Sequence, residues 1–151
     1  MSLTQRLRDD LNQAAKAGDK TRVSVLRFLM ANITNAQIAK GKDKPMDDGD
    51  IITVIHKQVK QHRESIDAFR KGNRSDLVAK EESELNALLP YLPQQMSREE
   101  IITAARKVIE EVEAQGPADK GKVMSKLMAQ LKGKAEGAEV SSVVSELLAG
   151  L

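Results

Sequence analysis

Residues 88 to 101 read L-L-P-Y-L-P-Q-Q-M-S-R-E-E-I, and the chain divides at them. Pro90 and Pro93 lack the N–H a helix ladder needs, and each biases the residue before it toward extended backbone. A helix arriving from the N-terminal side is therefore expected to stop here. Just beyond, Ser97 and Glu100 stand at capping-box spacing, so a new helix opens after Ser97. Residues 1–92 then read as an N-terminal helical bundle and residues 93–151 as a small three-helix C-terminal unit.

On both sides of this boundary the apolar residues recur at helical spacing, and the expected fold class is all-α. Ser2 and Gln5 form a cap before Leu3, Leu7, Leu11 and Ala14, and Gly18 ends that first helix. Asp19 caps a second helix running to about Lys40. Its centre, V-S-V-L-R-F-L-M-A-N-I, is apolar on most sides, as a buried central helix would be. A third starts near Asp48 or Asp50 and carries a seam of Ile52, Ile55, Val59, His62, Ile66 and Phe69, until Gly72-Asn73 stops it. A fourth spans about 75–89. After the boundary, the Ser97 helix is expected to end at Gly116-Pro117. Two more follow at about 119–131 and 138–149.

Composition removes several function classes. The chain has 151 residues, 40% hydrophobic and 30% charged, which is globular. It has no cysteine, so no disulfide framework, thiolate zinc site or cysteine nucleophile exists. With two histidines a histidine-rich metal site is not expected, nor is any other metal ligand set or cofactor. The charged N-terminus does not read as a secretory signal, and no apolar run approaches a membrane span. A cytoplasmic protein with no membrane association is the expectation. With 24 basic against 22 acidic residues, any nucleic-acid surface must be local. The three aromatics, Phe28, Phe69 and Tyr91, are too few for a base-stacking platform.

Residues 116–123, G-P-A-D-K-G-K-V, imitate a phosphate-binding loop. That loop needs a buried strand before it and a magnesium-binding hydroxyl at its end. Here an amphipathic helix precedes it and Val123 stands at the hydroxyl position. A helix–helix connection fits better: Gly116 as left-handed cap, Pro117 as breaker, Asp119 as the next cap. Gly121 then lies in a first helical turn, where it is unfavourable unless another backbone or a ligand comes close. Lys120, Lys122, Lys126, Lys132 and Lys134 place five positive charges against Asp119 alone between residues 119 and 134. Such a face is either solvated or tracks an anionic backbone, and the helix dipole favours the anion.

A second basic face runs along the third helix through His56, Lys60, Arg63, Arg70 and Arg74, interrupted by Asp67. It is a candidate phosphate-tracking surface or a solvated face with intrahelical pairs. His62, inside the apolar seam, reads as a packed histidine with a hydrogen-bond partner. Glu81, Glu82 and Glu84 read as a solvated acidic face, since nothing histidine-bearing adjoins them in sequence. Arg27, within the apolar second helix, calls for a carboxylate or ligand beside it.

G-D-K-T-R-V-S-V-L-R-F-L at 18–29, Y-L-P-Q-Q-M-S-R-E-E-I at 91–101, G-P-A-D-K-G-K-V-M at 116–124 and K-G-K-A-E-G-A-E-V-S at 132–141 together resemble the YqeY-like family. Its members are similar to the tail domain of the B subunit of the tRNA-dependent glutamyl/aspartyl amidotransferase. The resemblance implies an all-helical protein and a tail domain that helps hold tRNA. It carries over Gly121, Lys122, Lys126 and the loop Lys132-Gly133-Lys134, without a catalytic role. The family label, carbon–nitrogen ligase with glutamine as amido-N-donor, finds no cysteine, serine–lysine core or nucleotide loop here. The expected function is a non-catalytic RNA-binding accessory module with no catalytic residue and no evident small-molecule substrate. Its partner would be tRNA or another structured RNA. The alternatives are an amidotransferase subunit and an adaptor with a protein partner.

Overall fold

The computed structural model describes residues 1–151 and contains seven α-helices. They are α1 (Leu3–Ala17), α2 (Lys20–Lys40), α3 (Asp48–Lys71), α4 (Ser75–Leu88), α5 (Arg98–Glu111), α6 (Lys120–Leu131) and α7 (Gly137–Ala149). Two single 3₁₀ turns, Leu89–Tyr91 and Pro117–Asp119, join them, and no strand forms. The fold is all-α. No helix is long and apolar enough to cross a membrane. By its contacts the chain divides into two compact units, Met1–Leu92 and Pro93–Leu151.

Local chemistry explains most of the boundaries. The Ser2 hydroxyl accepts from Gln5 N–H, and Asp19 from Arg22 N–H. Reciprocal capping boxes open α3 (Asp47 with Asp50) and α5 (Ser97 with Glu100). These satisfy donors that the first helical turn cannot satisfy itself. Left-handed residues close three helices: Gly18 (φ 72°), Asn73 (φ 55°) and Glu113 (φ 55°).

Three expectations change here. The α-helix ends at Leu88, but a 3₁₀ turn rather than extended backbone follows it. Leu89 stays right-handed and Pro90 enters the 3₁₀ turn near its start, where no N–H is required. Only Leu92, before Pro93, becomes extended. The α5 helix ends at Glu111, not at Gly116. Ala114 N–H reaches Ile109 O at 3.0 Å and Glu113 N–H reaches Glu110 O at 3.2 Å, so Glu113 takes the left-handed cap position expected of Gly116. Gly116 itself is extended, at φ 176°. Asp119 does not cap α6 with its side chain; its carboxylate accepts from Gln115 N–H at 2.9 Å and closes the loop behind it.

In the first unit α2 packs against α1, α3 and α4, while α3 and α4 form an antiparallel hairpin. Leu7, Leu26, Leu29, Ile55, Val59 and Leu88 are fully buried between them. The second helix is less enclosed than its composition suggests: Phe28 is 53% and Ile38 69% exposed. Arg27 is exposed as well, so it needs no buried carboxylate. Ile51 and Gln58 join the buried face of α3, whereas Ile52 and Phe69 are only partly covered. Tyr91 docks onto α1: its hydroxyl donates to Asp10 Oδ2 at 2.5 Å, and the Arg6 guanidinium lies 4.7 Å from its ring centroid.

In the second unit α5, α6 and α7 pack pairwise around Ile101, Val108, Val123, Leu127, Val140 and Val144. Val123 is fully buried, so the position a phosphate loop gives to its hydroxyl belongs to the core.

Candidate functional site

Four of the candidate lysines of the second unit occupy the two ends of α6. Lys122 is exposed near its N-terminus and Lys120 half-buried; Lys132 and Lys134 are exposed in the loop after it. That loop is held in shape. Gly133 takes φ 81°, Lys134 N–H reaches Leu131 O at 2.9 Å, and Lys134 O accepts from Met96 N–H at 2.8 Å. The Gln95 amide also donates to Gly133 O at 3.0 Å. Lys126 is different: its ammonium pairs with Glu111 of α5 at 2.7 Å. The hydrogen bond from Lys126 holds the Glu111 carboxyl below its ordinary value. Asp119 is thus not the only acid serving this cluster. Gly121 needs no glycine, because a Cβ built there would meet nothing within 4 Å. No other part of the chain makes the close approach that its low helix propensity suggested.

The basic face of α3 is partly spent on carboxylates. Arg70 pairs with Glu82 at 2.9 Å. Arg74 lies outside the helix and grips Asp76 through two contacts, at 3.2 and 3.1 Å. Lys60 and Arg63 are exposed, and His56 is half-buried.

A constellation that sequence distance concealed appears in the first unit. His62 of α3 faces Glu81 and Glu84 of α4 across the hairpin. Its Nδ1 lies 2.6 Å from Glu81 Oε2 and 3.7 Å from Glu84 Oε2. One ligand-capable atom from each of the three residues lies within 4.8 Å of the others. The side chains are 11%, 19% and 17% exposed. So Glu81 and Glu84 are not a solvated acidic face: the hairpin brings a histidine to them, while Glu82 turns to Arg70. His62 is a packed histidine with a partner, as its place in the seam suggests.

These groups line a pocket of about 330 Å³ with Ser24, Phe28, Gln58 and Ser65. Gln58 is 1% exposed. Its Oε1 accepts from Asn32 Nδ2 at 3.1 Å, whereas its Nε2 is buried without a partner. The one signal that could have exposed this site is the short turn at Gly72-Asn73. Two helices joined so tightly run antiparallel, so residues roughly equidistant from the turn become neighbours.

Comparison with known proteins follows the same helical chain. A mitochondrial protein of Pyrenophora tritici-repentis named "Altered inheritance of mitochondria protein 41" is 32% identical over 146 residues, 95% of this chain and 79% of the relative. The protein of that name from Eremothecium gossypii is 41% identical over 86 residues, 57% of this chain and 46% of its own length. An uncharacterized protein of Schizosaccharomyces pombe is 33% identical over 92 residues, covering 60% of this chain and 72% of that protein. The chain thus spans about half the length of some of the curated relatives it matches. The cytoplasmic expectation is overturned by these names, which call the relatives mitochondrial proteins. The family model described as "Yqey-like protein" matches residues 4–148, nearly the whole chain, and the protein belongs to the YqeY-like family.

Proposed function

We propose that this chain is a non-catalytic accessory module that holds tRNA or a similarly folded RNA by its phosphate backbone. The observation that carries the reading is the pair of exposed lysines, Lys122 and Lys132, at opposite ends of α6, with the loop at 132–134 fixed by backbone hydrogen bonds. A fixed backbone spacing between the two lysines suits readout of phosphate position and shape, which fits a protein with three aromatics. The tail-domain likeness that the resemblance of 116–124 and 132–141 to the YqeY-like family implies supports the same reading. The surface is local: residues 93–151 carry eight lysines and arginines against nine acids. Lys126 is tied to Glu111 and belongs to the scaffold more than to the surface.

Mobility shifts with tRNA extracted from mitochondria, across a salt series, test the proposal. Each lysine–phosphate contact contributes about 0.7 to 0.9 to the log–log salt slope. The double reversal Lys122→Glu with Lys132→Glu should abolish the shift, while Lys126→Gln should change it little. Absence of any shift at low salt, or full binding by the double reversal, refutes the reading.

A further inference from the structure

We propose that His62, Glu81 and Glu84 form a binding site for a divalent transition cation, with zinc the species that fits best. The donor set is one imidazole and two carboxylates, which suits zinc; calcium and magnesium prefer oxygen alone. The distances agree. Tetrahedral zinc with bonds of about 2.1 Å keeps its ligand atoms about 3.4 Å apart. His62 Nδ1 and Glu84 Oε2 are 3.7 Å apart, and Nδ1 and Glu81 Oε2 are 2.6 Å apart. A rotation of Glu81 by under about 1 Å therefore opens the trio to coordination. The histidine is aimed by its Nδ1, which faces both carboxylates, while its Nε2 is buried without a partner.

Charge and the neighbouring wall argue the same way. Two carboxylates, formally two negative charges, converge on one imidazole in a pocket that leaves the three side chains under a fifth exposed. A dication balances both. Independently, Gln58 lines the same pocket, is 1% exposed, and keeps Nε2 buried and unpartnered. Buried amides are normally satisfied, so this donor points to an acceptor that the chain does not supply. A water or other oxygen completing the cation's fourth position provides one, and the pocket's roughly 330 Å³ has room for it.

The test uses the 151-residue chain without an affinity tag, stripped with chelator. With no cysteine and only two histidines, background zinc binding is low. Calorimetric titration with Zn²⁺ should give one saturable site, with Mg²⁺ and Ca²⁺ at least 100-fold weaker. His62→Asn and Glu84→Gln should each weaken zinc at least 10-fold, with His56→Gln unchanged. Should those variants fold poorly, the unaltered protein still decides: zinc must shift the His62 ring resonances and leave those of His56 in place. Absence of one-to-one binding, unmoved His62 resonances, or wild-type affinity in folded His62 and Glu84 variants overturns the proposal. Magnesium binding equal to zinc overturns the assignment of cation class.

Discussion

Replacing Gln58 by methionine is expected to stabilise the first unit, although it deletes a hydrogen bond. Gln58 is 1% exposed on the buried face of α3; Oε1 is satisfied by Asn32 at 3.1 Å and Nε2 by nothing. A buried donor left unmade costs about 1–3 kcal/mol, and the bond that is made contributes about 1 kcal/mol. Methionine keeps the length and unbranched shape of glutamine, so packing changes stay under about 1.5 kcal/mol. Asn32 is only half-buried, so its freed amide can turn to water. The balance is a gain of about 1 kcal/mol, or roughly 4–8 °C for a unit of this size. The assay is built into the sequence. Tyr91 is the one tyrosine, tryptophan is absent, and Tyr91 is 5% exposed in the first unit. Its near-ultraviolet circular dichroism during heating reports on that unit alone. Asn32→Ala, by contrast, should destabilise by about 1–2 kcal/mol, because Gln58 Oε1 loses its partner and the buried amide is then unsatisfied at both ends. In that background Gln58→Met should gain about 1 kcal/mol more than alone. A destabilisation by Gln58→Met beyond about 1 kcal/mol would show the amide to be satisfied, and the pocket would lose its spare donor.

Further outcomes follow from the same structure. Gly121→Ala should raise stability by about 0.5 kcal/mol in denaturant melts of the second unit, since the Cβ meets nothing and α6 gains propensity; a loss would mean the first turn is not helical in solution. Glu113→Gly should stabilise the end of α5 by up to about 1 kcal/mol, because φ 55° suits glycine better than glutamate. Burial, then the Asp10 hydrogen bond, raises the Tyr91 hydroxyl above its ordinary 10.0, against a smaller opposing effect of Arg22. Its contribution is therefore complete below pH 10 and lost as pH climbs through the raised value; pH-dependent melts should show that alkaline fall, and Tyr91→Phe should flatten it. Glu111 is held low by Lys126, so its contribution is present above pH 4.5 and fades as pH drops further. Lys126→Gln should shrink that acid limb, and an unchanged limb would mean the pair does not persist in solution.

Much of this protein is local chemistry that the sequence carries in full. Ser2, Asp19, Ser97 and Glu100 cap helices where their spacing says they should, because a cap involves only the next three residues. The repeat of Ile55, Val59 and Ile66 makes α3 amphipathic whatever it meets. These signals suffice for an all-α chain with a break near Pro93. They misplace the end of α5, since Glu113 can occupy the left-handed position that glycine merely prefers. Tertiary structure alone decided which charges remain available and which groups converge. Lys126 is drawn to Glu111, fifteen positions away in sequence, and His62 to Glu81, nineteen positions away; neither distance is encoded by helical periodicity. They are set by how the helices turn back and pack, and packing is determined by the whole apolar surface at once.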